Sequence, residues 1–397
     1  MPVGKSPIAS LCALAVVCGI CLPLLTSCST TGTGPGVTLK QLAELKGSDT
    51  VASDEFGVSV AVSGTTAVVG TSGASYAGRA YVFAKTASGW AQVAELKGSD
   101  ATPGDRFGSA VAVSGPTVVV GAYDQANDVG RAYVFAKTAS GWAQVAELKG
   151  SDTAAGDYFG WSVAISGPTA LVGAVGHAKF TGRAYVFTKT ASGWTQTAEL
   201  EGPGTVSESG FGTSVAVAGG TAIVGAEGYA KGTGRAYVFT KTASGWTQIA
   251  ELKGPGTIAG DNFGASVATS PTTAVVGAFG RDSSAGGAYV FADTATGWKE
   301  TAELKASDTT AGDYFGISVA ISGKSIVVGA YDHANGAGRA YVFTQTASGW
   351  KETSELQGSD TVADDHFGIS VAISGTTEVT GSYGKAKYAG RVYVFRA

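Results

Sequence analysis

Three histidines, His177, His333 and His366, are the side chains of this 397-residue sequence best suited to proton transfer near neutral pH. His177 and His333 occupy equivalent places in an internally repeated sequence, three repeats apart, too distant to act together on one atom. The four cysteines, Cys12, Cys18, Cys21 and Cys28, all fall in the first 28 residues, so the rest of the chain has neither a thiol nucleophile nor a disulfide framework. Aspartates recur at Asp49, Asp100, Asp152, Asp308 and Asp360, and again at Asp54, Asp105, Asp157, Asp261, Asp313 and Asp365. Two readings stand for them: a metal site, or capping of a tight turn, and the pairs lack the dense oxygen ligands of a calcium loop. Asp124 with Asn127 and Asp128, and Asp332 with Asn335, pose the same choice. No nucleophile, no unrepeated carboxylate pair and no metal-ligand set stands out, so neither a catalytic residue nor a metal ligand is assigned. The chemistry left is binding.

The elements that must position a binding surface announce themselves by repetition. The phenylalanine of a Phe-Gly pair recurs at Phe56, Phe107, Phe159, Phe211, Phe263, Phe315 and Phe367, a period of 51 or 52 residues. Each unit holds four short segments, a to d, which in the first unit are Phe56 to Val62, Ala67 to Gly70, Arg79 to Phe83 and Trp90 to Leu96. Alternation of β-branched with small or polar residues, bounded by Gly, Ser and Thr, predicts strands, and no helical period is present. Seven four-stranded units predict an all-β fold, a single seven-bladed β-propeller over residues 38–397. The seventh unit stops at Tyr393-Val394-Phe395 without a segment d. The stretch Leu39 to Gly47 aligns with Trp90 to Gly98 apart from the tryptophan, so it predicts a closure strand that completes the last blade and leaves no open edge.

Comparing the seven copies separates frame from variable surface. Ala61, Ala112, Ala164, Ala216, Ala268, Ala320 and Ala372 are identical, as expected where inner strands converge. Six tryptophans from Trp90 to Trp350 open segment d and predict packing between blades. Arg79 with its copies and Glu95 with its copies predict a repeated polar lattice, which unit five interrupts with Gly287. Trp161 is an unrepeated aromatic that either caps the central channel or fills it. Diversity concentrates between segments b and c, which antiparallel strands place on the same face as the d-to-a connections. Eighteen residues after each Phe stand Ala74, Gln125, His177, Tyr229, Arg281, His333 and Lys385. The ligand-binding candidates are therefore Tyr123, Asp124, Gln125, His177, Lys179, Tyr229, Lys231, Phe279, Arg281, Tyr331, Asp332, His333, Tyr383, Lys385 and Tyr388, drift of unconstrained loops being the competing reading.

A formal net charge of −4 with scattered lysines lacks the electrostatic footprint of a nucleic-acid partner. At the start, Lys5 and the apolar run Ile8 to Leu25 read as an export signal over residues 1–27. Leu25-Thr26-Ser27-Cys28 resembles the lipobox of bacterial lipoproteins, which implies cleavage before Cys28 and acylation there. Residues 28–37 then read as the lipidated cysteine and a flexible tether, so the protein is expected to be exported and lipid-anchored to the bacterial cell envelope, in the outer membrane or on the outer face of the cytoplasmic membrane.

Phe-Gly-Val-Ser-Val-Ala-Val-Ser-Gly, followed by Val-Val-Gly-Thr or Val-Val-Gly-Ala and then Gly-Arg-Ala-Tyr-Val-Phe, resembles the FG-GAP repeat over nearly all of residues 38–397. The resemblance to integrin alpha-chain propellers and bacterial surface proteins implies a monomeric binding or adhesion module with a protein or glycan ligand. That family often carries a calcium loop between segments a and b, whereas here the connection is Ser63-Gly64-Thr65-Thr66, so no cofactor is assigned and calcium is left doubtful. The family's proline after Gly-Ala is also replaced, by Tyr123, Val175, Glu227, Phe279 and Tyr331. Three functions follow in order: a surface adhesin or receptor, a periplasm-facing assembly scaffold, and an enzyme of unrecognised type.

Overall fold

The computed structural model describes residues 39–73 and 78–396; the segments expected to be an export signal and tether, with Cys28, and Ala74 lie outside them. The unit from Gly36 to Ala397 consists of seven four-stranded antiparallel sheets. Blade 1 comprises strand a Ser59–Ser63, strand b Thr66–Thr71, strand c Arg79–Thr86 and strand d Gly89–Leu96, and the other blades repeat this order. In blade 7, Phe367–Ser374, Thr377–Ser382 and Arg391–Arg396 are completed by Lys40–Leu45 from the other end of the chain. The closure pairs Gln41 with Phe395, Ala43 with Val394 and Glu44 with Tyr393, with a bulge between Gln41 and Ala43. Blade 1 pairs Gln92 with Phe83, Ala94 with Val82 and Glu95 with Tyr81 across the same bulge. The closure strand thus reproduces the register of an ordinary strand d, and it removes the edge that would otherwise recruit another chain.

Each interface between blades is an apolar core of its own. Between blades 1 and 2, Val68, Ala80, Val82 and Leu96 meet Phe107, Val111, Val118, Val120, Tyr133 and Phe135. The phenylalanine of Phe-Gly contacts the Tyr and Phe of strand c in every blade, at 5.5 and 6.1 Å from Phe56 to Tyr81 and Phe83. Such tilted and edge-on pairs add about 0.5–1.5 kcal/mol beyond buried area. The strand-d tryptophans pack on the same cores, Trp142 and Trp194 among them. Alanines of strand a face the following blade, as Ala112 does in the core between blades 2 and 3.

The motif glycine makes this packing possible. Gly108 has φ +98°, and a Cβ on Gly121 of strand b would stand 2.0 Å from the carbonyl oxygen of Gly160 in the next blade. Serine on strand a adds a bond across the same seam: the Ser59 hydroxyl donates to the Gly108 carbonyl at 2.7 Å, and Ser162, Ser214, Ser266, Ser318 and Ser370 repeat it. Blade 2 has Ala110 at this position and omits the bond.

One interface breaks the apolar rule. Where blades 1 to 6 place Ala67, Val118, Ala170, Ala222, Ala274 and Ile326, blade 7 places Glu378, only 1% exposed, and Thr380 replaces a valine two residues on. Glu378 Oε2 and the Thr380 hydroxyl are buried with no hydrogen-bond partner among the described residues. Burial pushes the Glu378 carboxyl up to about 7. A carboxyl that holds its proton in the folded chain longer than in the unfolded one makes stability fall as pH rises from about 4.5 through 7. Glu378→Ile should raise the unfolding free energy at pH 8 by roughly 3 kcal/mol and flatten its dependence between pH 5 and 8. Denaturant titrations across that range check this, and an unchanged slope would refute it.

Candidate functional site

The b-to-c loops have one backbone and many side chains. In each of the six described, three consecutive residues take positive φ, as in Ala126, Asn127 and Asp128 (57°, 59° and 64°) and in Ala178, Lys179 and Phe180 (50°, 63° and 61°). Left-handed non-glycine residues are strained, and bonds to the next blade hold them there. The Asp128 carbonyl accepts the Tyr158 amide at 2.9 Å, the Gly232 carbonyl accepts the Asn262 amide at 2.7 Å, and the Tyr388 carbonyl accepts the Glu55 amide at 2.7 Å. Loops b-to-c and d-to-a therefore share one face, interlocked blade to blade.

Of the described residues eighteen positions after Phe, Gln125, His177, His333 and Lys385 turn inward, onto aspartates of the d-to-a loop of their own blade. Gln125 donates to Asp100 at 3.0 Å. His177 Nδ1 bonds Asp157 at 2.9 Å and His333 Nδ1 bonds Asp313 at 2.9 Å. Lys385 lies 3.1 Å from Asp365 and 3.2 Å from Asp360, and these partners, against the opposing effect of burial, raise its ammonium above the ordinary lysine range. Arg281 lies 3.0 Å from Glu303 and against the Tyr289 ring, filling the place left empty by Gly287. Tyr229 packs in the core between blades 3 and 4, and the Arg235 guanidinium sits 4.8 Å from its ring centre. Variety at these positions is thus a set of alternative stitches across one seam.

The recurrent aspartates serve the same seam. Asp54 accepts the Val51 amide at 2.8 Å and Asp157 the Ala154 amide at 2.8 Å, which is turn capping. The Tyr81 and Tyr133 hydroxyls donate to Asp49 and Asp100 at 2.7 Å each. Arg79 bridges Asp49 and Glu95, and Arg131 pairs with Glu147, which is the repeated polar lattice. Among the described residues no group of three or more His, Cys, Asp or Glu side chains is placed to hold a metal ion. The a-to-b turns, where the calcium loop of the repeat would lie, carry no carboxylate in any blade, so these residues do not fit a calcium ion.

What faces the mouth of the central channel is a different pair of positions. Sixteen residues after each Phe stand Tyr123, Val175, Glu227, Phe279, Tyr331 and Tyr383, with Ser72 in blade 1. Alternating with them are the residues just before Phe: Glu55, Arg106, Tyr158, Gly210, Asn262, Tyr314 and His366. Comparing only the b-to-c loops misses the second set, although lining up the seven copies at the residue before Phe reveals it. Its six non-glycine members all hold φ between 55° and 58°.

Around blades 5 to 7 these positions form a filled aromatic arc. Phe279 contacts Tyr314 at 6.0 Å, Tyr314 stacks on Tyr331 at 5.2 Å, Tyr331 meets His366 at 5.5 Å, and His366 stacks on Tyr383 at 5.0 Å. Tyr388 extends the arc outward, 5.8 Å from Tyr383, and Asp332 lies 3.8 Å from His366. Burial pushes the Tyr383 phenol up to about 12 and that of Tyr331 in the same direction, so both remain neutral donors. Lys179 and Lys231 occupy the outer loop tips, exposed.

Around blades 2 to 4 the arc opens into a cavity of about 590 Å³. Tyr123, Tyr158, Trp161, Phe180 and Val175 form its walls, and Glu208, Glu227 and the Arg106–Asp124 pair, 2.8 Å apart, supply its polar groups. Trp161 thus stands at the channel mouth, 4.8 Å from Tyr123, and it also lines the channel.

Seven four-stranded blades around a channel, closed by the first strand, define a seven-bladed β-propeller. The chain belongs to the FG-GAP repeat family, which matches residues 39–83, 90–135, 142–187, 194–239, 246–291, 298–343 and 350–395. Each matched repeat runs in the order d, a, b, c and so bridges two blades. No curated protein matches the sequence. Among solved structures, a chain in the crystal structure of the mitotic checkpoint complex is similar at 14% identity and a TM-score of 0.59, over 98% of this chain and 99% of that one. At that identity the likeness is one of fold alone.

The division into inward and outward residues is measurable. Lys385→Met, which removes the cation beside the buried Asp365 and leaves it only the Val362 amide, should lower the unfolding free energy by about 1–3 kcal/mol, whereas Tyr388→Ala, at 43% exposure, should change it by less than about 0.5 kcal/mol. Equal losses in chemical denaturation would reverse the assignment.

Proposed function

We propose that this protein is an exported, lipid-anchored binding module that holds a protein or glycan ligand on the face built from the b-to-c and d-to-a loops. FG-GAP propellers are commonly binding or adhesion modules. The observation that carries the reading is the aromatic surround of the channel mouth, where Tyr331 leans on His366 and His366 stacks on Tyr383 while all three stay partly open to solvent. Aromatic groups that are half-buried and rigid are favoured as contact anchors. The opposite face offers only short turns such as Gly64-Thr65 and Gly323-Lys324.

The orientation of the closure strand supports the anchoring. Strand d runs from the smooth face to the varied face, and Lys40–Leu45 takes that place in blade 7, so Leu39 lies at the smooth end. The chain that leads from Cys28 therefore joins the propeller at the end opposite the varied loops.

Screening the full chain against arrays of glycans and extracellular proteins tests the face. Tyr331→Ser and Tyr383→Ser should each weaken the captured ligand about tenfold or more, with Lys324→Ala on the smooth face unchanged. Equal loss from both faces would sink the proposal. Independently, Cys28→Ala should abolish incorporation of labelled fatty acid and release the protein from the membrane fraction; retention of the label would refute lipidation at that residue.

A further inference from the structure

The cavity between blades 2, 3 and 4 exists because one side chain is withheld. The position before Phe carries a side chain in six blades in spite of its left-handed backbone, and only blade 4 has glycine there, Gly210 at φ +63°. A Cβ on Gly210 would meet nothing nearer than the Val175 side chain at 3.6 Å, so the space beside it is open. In blade 6 the same position is Tyr314, whose ring fills the corresponding space by stacking on Tyr331.

The walls left standing are aromatic and set at angles to one another. Tyr158 and Trp161 are inclined at 67°, Tyr158 and Phe180 at 38°, and Tyr123 and Trp161 at 49°. Trp161 and Phe180 remain 40% and 47% exposed. Inclined ring faces enclose a rounded group rather than offering one flat platform. Arg106 and Asp124 neutralise each other, which leaves the carboxylates of Glu208 and Glu227 as the net charge of the lining.

We propose that this cavity binds a methylated ammonium group, with the faces of Tyr158, Trp161 and Phe180 around the methyls and Glu208 and Glu227 as counter-charges. The proposal deepens the binding reading above and rests on it for the face used. A bare metal ion would need a dense oxygen shell that two carboxylates do not supply. An unmethylated ammonium keeps its water more tightly, whereas a methylated one gives it up to ring faces. At about 590 Å³ the cavity exceeds the ion alone and has room for the chain that carries it. Burial raises the Glu227 carboxyl, against the Thr213 hydroxyl that donates to it at 3.1 Å. A bound cation favours the ionised carboxylate, so affinity should rise with pH through the range in which Glu227 ionises.

Isothermal titration of the full chain with choline, and with its neutral carbon isostere 3,3-dimethylbutan-1-ol, is the test. Choline should bind at least about tenfold more tightly than the isostere, and Trp161→Ala and Glu227→Gln should each weaken it about tenfold or more. Gly210→Tyr, which copies blades 3 and 6, should abolish binding while the melting curve stays cooperative. Equal affinity for choline and the isostere, or undiminished binding to Gly210→Tyr, overturns the proposal. Absence of choline binding in a chain that still captures a glycan or protein on the varied face overturns the cation and leaves the binding reading intact. A trimethyl-lysine peptide set against phosphocholine then distinguishes a protein source of the cation from a lipid head group.

Discussion

Everything in this molecule depends on how closely the Phe-Gly step of one blade can approach strand b of the blade before it. The carbonyl oxygen of Gly160 stands where a Cβ of Gly121 would be, and the same approach recurs at Gly70 with Gly108 and at Gly381 with Gly57. That contact sets the wedge angle between sheets. It also brings Phe159 under Tyr185 and Phe187, and it places the residue before Phe at the channel mouth in a left-handed conformation. Because the seam is backbone against backbone, a methyl group in the wrong place cannot be absorbed by a change of rotamer.

The same constraint explains what the sequence made legible. Repetition of Phe-Gly at 51 or 52 residues is the imprint of the seam, and the missing segment d after Phe395 marks the closure, so the fold could be read almost strand by strand. The repeated arginines and tryptophans were legible too, since a residue required in every blade is structural. The site was harder to read because two kinds of variation look alike in a sequence. His177, His333 and Lys385 differ from blade to blade, yet each bonds an aspartate beneath it, so the differences are alternative solutions to one packing problem. Tyr158, Gly210 and His366 differ because they face the channel mouth, where no neighbour dictates the side chain. The direction in which the backbone points its Cβ atoms separates the two, and the residues before Phe hold a left-handed conformation that simple strand alternation does not foresee.

The frame and the face therefore answer to different demands. Constant backbone in the b-to-c loops, held by bonds such as Tyr158 to Asp128 and His366 to Gly336, lets side chains at the mouth vary at little cost to stability. Blades 5 to 7 use that freedom to stack rings on one another, and blades 2 to 4 use it to leave a space. The buried Glu378 shows the opposite case: inside the seam, where each neighbour is fixed, its Oε2 has no hydrogen-bond partner among the described residues.

The closure strand has a mechanical meaning as well. A force that draws Leu39 away from the smooth end while the varied loops are held runs along the length of Lys40–Leu45. Its ladder to Arg391–Arg396 is then pulled in shear, with its hydrogen bonds sharing the tension, instead of being peeled open one at a time. A ring closed in this way resists traction best along the direction of its strands.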